Sequence, residues 1–366
     1  MSDYLKDQII TYIGNKRKIL PFIERSLNQI GIKDYTFLDL FSGSGIVSRL
    51  AKVHGAKKII ANDLEYYSGI LNEVFLRNKE GDKKNFESAK EYLLSKPLFE
   101  GWVSKNYAPK DDNNIQKGER CFYTRENALL IDSYSQMIFN SGYYFDWLAY
   151  AMVSSETAYL LLASLIYEAS VHTNTSGVFK GFYKNKQGIG QFGGEGKNAL
   201  QRICGKIDPQ FPVFCPNETE NIILQADASR VVSEMKDVDI TYIDPPYNQH
   251  PYGSNYFMLN AIAKNKCPQD ISAVSGIPKD WNRSIYNKRV EGVMQLLKDI
   301  ENVDSKYVLL SYSSEAYLPI KDMVVELAKI GLITNLQEID YNVFRGSRNL
   351  SNRPNKLQEY LITIRK

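Results

Sequence analysis

Cysteine and histidine are scarce in this chain. Its 366 residues hold four cysteines (Cys121, Cys204, Cys215, Cys267), with no Cys-x-x-Cys pair, and three histidines (His54, His172, His250). Neither a zinc site nor a disulfide framework is expected, no metal is called for, and a reducing cytoplasm fits. No apolar run approaches the roughly 18 residues of a membrane span, so no membrane association is expected. The stretch Met1–Ile10 lacks both a basic and an apolar region, so no secretory signal is expected either. There is no low-complexity tract and no repeat. With 45 Lys+Arg against 42 Asp+Glu, the net charge of +3 is too small for a polycationic condenser, though it leaves room for local basic clusters.

What is present is length and an α/β rhythm. The chain exceeds the roughly 250–300 residues at which one core stops growing, which calls for two lobes or one domain with a large insertion. Ile19, Leu20, Ile23 and Leu27 have helical spacing within 16–30. A buried strand is expected at 36–41, a tight turn at Ser42-Gly43-Ser44-Gly45, a helix at 46–53 and a second strand at 58–62, a unit that implies a parallel sheet with a right-handed crossover. From about residue 68 the register gives way to helical stretches, notably 145–171, and a polar, Gly-rich segment. It resumes with strands expected at 222–226, 238–243, 307–312, 336–343 and 357–364. The economical division is a sheet domain in two parts, 1–67 and 221–366, split by an insertion at 68–220.

The most specific motif is Asp244-Pro245-Pro246-Tyr247, directly after the apolar strand expected at 238–243. Ligands in open α/β sheets bind at such carboxyl ends. A strand terminator needs neither the acid before the prolines nor the aromatic after them. An exocyclic amino nitrogen on a nucleobase is a poor nucleophile because its lone pair is delocalised into the ring. Two acceptors aimed at its hydrogens, the Asp244 carboxylate and the Pro245 carbonyl, localise that pair toward an attacked carbon by electrostatic preorganisation. Pro245 and Pro246 hold the carbonyl direction, and Tyr247 offers a flat face to a base extruded from a duplex.

The second motif is Asp39-Leu40-Phe41-Ser42-Gly43-Ser44-Gly45. Position 48 is Ser, so the third glycine of a dinucleotide fingerprint is missing and hydride chemistry is disfavoured. The bare turn lets the backbone approach a small cofactor, with Asp39 available to a cationic or amino group. Asp63, closing the next strand, is placed to accept from ribose hydroxyls or to cap the helix beginning near Glu65. Two look-alikes fail. Gly190 to Lys197 mimics a phosphate loop with its first glycine one position early and Asn198 where Ser or Thr is needed. Glu301-Asn302-Val303 matches a string of cytosine-C5 methyltransferases, but no Pro-Cys nucleophile exists here.

Tyr12-Ile13-Gly14-Asn15-Lys16-Arg17-Lys18, the Phe-Ser-Gly-Ser-Gly turn, Asn62-Asp63 and Asp244-Pro245-Pro246-Tyr247 occur in the order seen in the Dam-like (alpha-group) N6-adenine-specific DNA methyltransferases, which this chain resembles over roughly residues 8–66 and 222–364. The resemblance implies a Rossmann-like S-adenosylmethionine-dependent methyltransferase fold, mostly parallel with an antiparallel C-terminal hairpin, and a largely helical target-recognition insertion. It implies S-adenosyl-L-methionine contacts from Tyr12, Lys16, Asp39, Phe41, Gly43, Gly45, Asp63 and Asp244. Asp227 resembles the acid near the cofactor's adenine, with an N-cap for 228–235 as the other reading. Tyr252, Asn255 and Tyr256 resemble the segment near the flipped adenine that contacts DNA. Double-stranded DNA is the implied partner, with a cognate restriction endonuclease where the enzyme belongs to a restriction-modification system, and the protein is read as a cytoplasmic monomer or weak dimer. The rivals are a cytosine-N4 or RNA base methyltransferase of the same fold and a non-catalytic DNA-binding specificity protein.

Two basic stretches add to the case for DNA. From Gly177 to Lys206 there are six basic residues, among them Lys180, Lys184 and Lys186, and one acid, interleaved with Phe179, Phe182, Tyr183 and Phe192. Such a stretch can meet phosphates while its aromatics meet bases, the other reading being a solvated loop. Arg345 and Arg348 lie in the acid-free stretch from Arg345 to Lys356, either a hairpin loop on backbone phosphates or a solvated loop.

Overall fold

In the central strands, successive side chains serve two different cores. Along β1 (Thr36–Asp39), Phe37 belongs to one apolar cluster with Ile59, Ile240, Leu309 and Leu361, whereas Leu38 belongs to another with Ile60, Val308, Leu310 and Ile362. Period-two alternation with both faces apolar is what a sheet covered on each side by helices requires. The computed structural model describes residues 2–11, 13–139, 154–246, 251–342 and 356–366.

The sheet has seven strands in the order β3-β2-β1-β4-β5-β7-β6. β2 is Lys58–Asn62, β3 Glu220–Leu224, β4 Val238–Ile243, β5 Ser305–Ser313, β6 Leu332–Asn342 and β7 Lys356–Arg365. β1 to β5 are parallel, and β7 pairs antiparallel with both β5 and β6. The expected fold class is found: a mostly parallel α/β sheet with an antiparallel C-terminal hairpin. All seven expected strands form, with β3 beginning two residues early and β6 four. The chain runs outward from β1 through β2 to β3, then returns to lay β4 on the other side of β1. Strand order therefore reverses between β1 and β4, and their carboxyl ends open a crevice there.

One face is covered by α1 (Leu20–Ile30), entered through the 3-10 turn Lys16–Ile19, and by α2 (Ile46–His54). Helices Ala228–Glu234, Arg289–Asn302 and Ile320–Ile330 cover the other.

The inserted region has a different relation to the sheet domain than the sequence suggests. α3 (Tyr66–Phe75) runs across the expected boundary after residue 67. Its Tyr67, Ile70, Leu71, Val74 and Phe75 share one apolar cluster with Leu130, Ile131 and Tyr134 of helix Arg125–Phe139, Leu161, Leu165 and Ile166 of helix Ser155–Val171, and Phe257–Ala263 from beyond the insertion. Helices from within residues 68–220 thus share one apolar core with α3, which begins at Tyr66, and with Phe257–Ala263. Among the described residues, no helix is long and apolar enough to cross a membrane.

Candidate active site

The glycine turn after β1 is drawn tight by its neighbours. Ser42 N–H donates to the Asn62 carbonyl at 2.8 Å, and Gly43 N–H donates to Asp63 Oδ2 at 2.7 Å. Gly45 has φ +75°, and a Cβ there would stand 2.6 Å from Asn72 Oδ1, so only glycine fits. The other oxygen of Asp63 accepts from Glu65 N–H at 2.8 Å. Asp63 therefore does not cap α3, whose N-cap is Glu65; it ties the glycine turn to the end of β2. Burial pushes its carboxyl up to about 6 against the pull of these backbone donors.

Asp39 stands at the carboxyl end of β1, 1% exposed. Its Oδ2 accepts from Ser48 Oγ at 2.7 Å, while Oδ1 has no hydrogen-bond partner among the described residues. It lines a cavity of about 290 Å³ with Gly14, Lys16, Gly43, Ser44 and Asp244. Burial pushes the carboxyl up to about 7; Ser48 opposes this, while the charges of Asp244 and Asp63 add to it.

Asp244 follows β4 directly. Lys16 Nζ lies 3.0 Å from Asp244 Oδ1 and 3.8 Å from Glu359 Oε2. Burial raises the Asp244 carboxyl above its ordinary value and Lys16 opposes the rise. For Lys16, burial disfavours the ammonium, yet Asp244 and then Glu359 outweigh it and carry its pKa above that of a free lysine. Lys16, which the family resemblance gave to the cofactor, is engaged by the motif acid in this structure.

A second, larger cleft of about 650 Å³ adjoins the first, with Phe41 and Asp244 in both walls. Asp63, Asp227, Pro246 and Tyr286 line it further. Asp227 caps helix Ala228–Glu234 by accepting from Ser229 N–H at 3.0 Å, and it also stands in the wall of the cleft. Phe41 meets Tyr286 edge to face at 5.0 Å. Glu65 is buried in the wall, where it accepts from Asn260 Nδ2 and, at 3.1 Å, from Asn282 Nδ2; burial, with Asp63 adding, pushes its carboxyl up to about 7. Asn282 also donates to the Leu64 carbonyl at 3.1 Å.

Two tyrosines of the segment 251–256 hold a distant stretch of backbone. Tyr252 Oη donates to the Ile13 carbonyl at 3.0 Å, and Tyr256 Oη accepts from Ile13 N–H at 2.7 Å. The two rings stack at 5.8 Å, and Tyr256 and Asn255 are buried. The expectation of DNA contact is corrected for these two, since a buried side chain is not available to a duplex. Together Tyr252 and Tyr256 hold the Ile13–Gly14 backbone over the smaller cavity.

In the Gly-rich basic segment, Lys180 and Lys186 are exposed and Lys184 is half-buried. Lys184 Nζ lies 4.8 Å from the Phe182 ring centre, and Lys186 Nζ lies 3.8 Å from Glu195 Oε2. Phe179, read as an aromatic for bases, is instead packed between Phe122 and Phe257 in the inserted core. Asn174 knits the segment together, donating to the Cys121 and Gln191 carbonyls and accepting from Gly193 N–H. Tyr12, Tyr247, Arg345 and Arg348 lie outside the described residues.

Glu65, Asn282, Tyr286 and Glu359 belong to the site and were not singled out in the sequence. Glu65, two residues after Asp63, was the one within reach of a motif. The others sit in segments without a signature and arrive by tertiary packing.

The family of D12 class N6 adenine-specific DNA methyltransferases matches residues 12–325. The chain is 29% identical over 364 residues to the type II methyltransferase M.NlaIII of Neisseria lactamica, covering 98% of this chain and 99% of that one. It is 30% identical over 361 residues to the type II methyltransferase M.CviAII of Paramecium bursaria Chlorella virus 1, covering 97% and 98%. Against the modification methylase LlaI of Lactococcus lactis subsp. lactis it is 28% identical, with 97% of this chain matching 55% of that longer protein.

Proposed function

This chain belongs to the D12 class N6 adenine-specific DNA methyltransferases, and from that premise we propose that its two adjoining cavities hold S-adenosyl-L-methionine beside an adenine presented to Asp244. The observation that carries this reading is Asp244 itself. It is a half-buried carboxylate at the switch point of the sheet, at the meeting of both cavities, with its charge supported by Lys16 at 3.0 Å.

The residues present fit the cofactor. The unpartnered Oδ1 of Asp39 is the acceptor an α-ammonium group requires, since a buried acceptor left without a donor is costly. Gly43 and Gly45 keep the turn bare for the amino-acid end, and Phe41, Asp63 and Asp227 line the cleft for the nucleoside. When bound, S-adenosylmethionine supplies an electrophilic methyl group on a sulfonium sulfur.

The chain's own residues do the rest. Asp244 and the Pro245 carbonyl accept the two amino hydrogens of adenine, localising the nitrogen lone pair; Pro246 stiffens the turn and Tyr247 stacks on the ring. Lys16 keeps Asp244 ionised, as an acceptor must be. Holding nucleophile and electrophile in line supplies a large part of the rate. The adenine must leave its duplex to reach a half-buried carboxylate at the floor of a cleft. Lys180, Lys184 and Lys186 contribute phosphate contacts, and the insertion at 68–220 contributes recognition of the site.

By analogy with relatives named type II methyltransferases, the chain serves as the modification enzyme of a restriction-modification system, opposite a cognate endonuclease, as a cytoplasmic monomer or weak dimer. Incubation with methyl-labelled S-adenosylmethionine and genomic DNA, followed by mapping of modified bases, tests the reading. Asp244→Ala should lower kcat by about 10²–10³-fold, the scale of losing one preorganised partner, while cofactor and DNA binding persist. Near-normal turnover by that variant would refute the assignment.

A further inference from the structure

Glu359 has no part in the motifs, yet its carboxylate reaches the same ammonium as Asp244. It lies on β7, the antiparallel strand between β5 and β6, in register opposite Ser313 of β5. Asp244 follows β4 on the other side of β5, and Lys16 comes from the 3-10 turn before α1. Three segments far apart in sequence thus place two buried charges, Lys16 and Glu359, and the half-buried Asp244 at one end of the sheet, with Lys16 Nζ at 3.0 Å from Asp244 and 3.8 Å from Glu359.

Stability alone does not account for this arrangement. Each charge withdrawn from water carries a desolvation penalty, so an ion pair of this kind is weak evidence for stability by itself. Lysine is a compact charge on a flexible four-carbon stem, so one ion pair does not fix its direction. A second acid carried on a sheet strand does: it restricts Lys16 to the rotamers that reach both carboxylates. With the sheet as a rigid support, this sets the side on which Asp244 is charge-paired.

We infer that Glu359 is a positioning residue for methyl transfer, acting through Lys16 to hold the Asp244 carboxylate in the orientation that accepts from the target amino group. This rests on the role given to Asp244 above. Glu359 lines neither of the two cavities, so its loss should appear in kcat and depend on Lys16.

The test is a double-mutant cycle on the full chain, with kcat and both KM values measured for Glu359→Gln, Lys16→Met and their combination, beside Asp244→Ala. Glu359→Gln is expected to lower kcat about tenfold, with KM for S-adenosylmethionine and for DNA within about twofold of wild type. In the Lys16→Met background the same change should cost less than about twofold. Equal losses in both backgrounds, a loss expressed in KM, or an unchanged kcat would overturn the inference. Should Glu359→Gln fail to fold, Glu359→Asp, which keeps the charge but withdraws it by one methylene, must show a smaller loss confined to kcat, and its absence overturns the inference equally. An active Asp244→Ala would instead refute the underlying reading of the site.

Discussion

Replacing Lys16 with methionine removes the cation facing Asp244 and keeps a side chain of similar length. At 3.0 Å and an effective dielectric constant of about 20, the pair is worth about 5.5 kcal/mol of Coulomb attraction before any relaxation. Water entry and local adjustment recover much of this, and an opposite charge at this range moves a carboxyl pKa by roughly 1–3, or about 1.4–4 kcal/mol. The sign follows from the chemistry: Asp244 must be ionised to accept, so activity falls as pH drops through its pKa. Burial already raises that pKa and Lys16 holds it down. Without Lys16 it rises further, with Asp39 and Tyr242 also interacting with Asp244 and Glu359 left beside the vacated position. The acid limb of the kcat/KM profile of Lys16→Met should therefore move to higher pH by about 1–3, with the alkaline plateau less affected than the rate below neutrality. A cofactor-binding isotherm at the plateau separates this from a direct contact between Lys16 and the cofactor. An acid limb unmoved within about 0.3 of the wild-type pH, with a proportional loss at every pH, would refute the electrostatic reasoning.

Asp39→Asn offers a second test, of the conflict between binding and stability. A carboxyl raised to about 7 by burial costs the folded state stability that starts above the unfolded value of about 4, grows with pH and is full above about 7, because the unfolded chain releases the proton more readily. The neutral amide should raise the melting temperature of the cofactor-free protein by a few degrees at pH 8, the gain shrinking as pH falls below 7, and should weaken cofactor binding by at least tenfold. A variant that melts lower at pH 8, or binds as well as wild type, contradicts the role given to Oδ1. Neutralising Lys180, Lys184 and Lys186 together should weaken DNA binding and reduce the slope of log affinity against log salt by about 1–3, the upper figure applying if each lysine meets a phosphate. An unchanged slope would return that segment to a solvated loop.

The local elements were readable because they depend on neighbours in the chain. Alternating apolar residues around Phe37 and Leu38, the bareness of Gly43 to Gly45 and the acid-proline-proline string all act over a few residues, so the strands, the turn and the position of Asp244 could be expected from the sequence. The mostly parallel sheet with its antiparallel C-terminal hairpin was what the family resemblance implied, whereas the order of the seven strands had to come from the fold.

Long-range packing was not readable in the same way. Tyr256 and Asn255 are polar and near the motif, which suggested DNA; only the folded chain shows Tyr256 bonded to Ile13, 243 residues away. Phe179 sits among lysines, yet its ring completes an aromatic cluster with Phe122 and Phe257. The boundary at residue 67 was drawn where the α/β rhythm ends, but α3 runs through it because its apolar face serves the inserted core.

The amino-acid sequence by itself thus determined the strands, the glycine turn and the family motifs, whose causes are local sterics and periodicity. Only tertiary structure decided which charges meet: Lys16 with Asp244 and Glu359, Asp63 with the Gly43 amide, Glu65 with Asn282. Charges separated by hundreds of residues become partners when strand order brings them to one edge of a sheet, and in a buried site that proximity governs whether a carboxylate is charged.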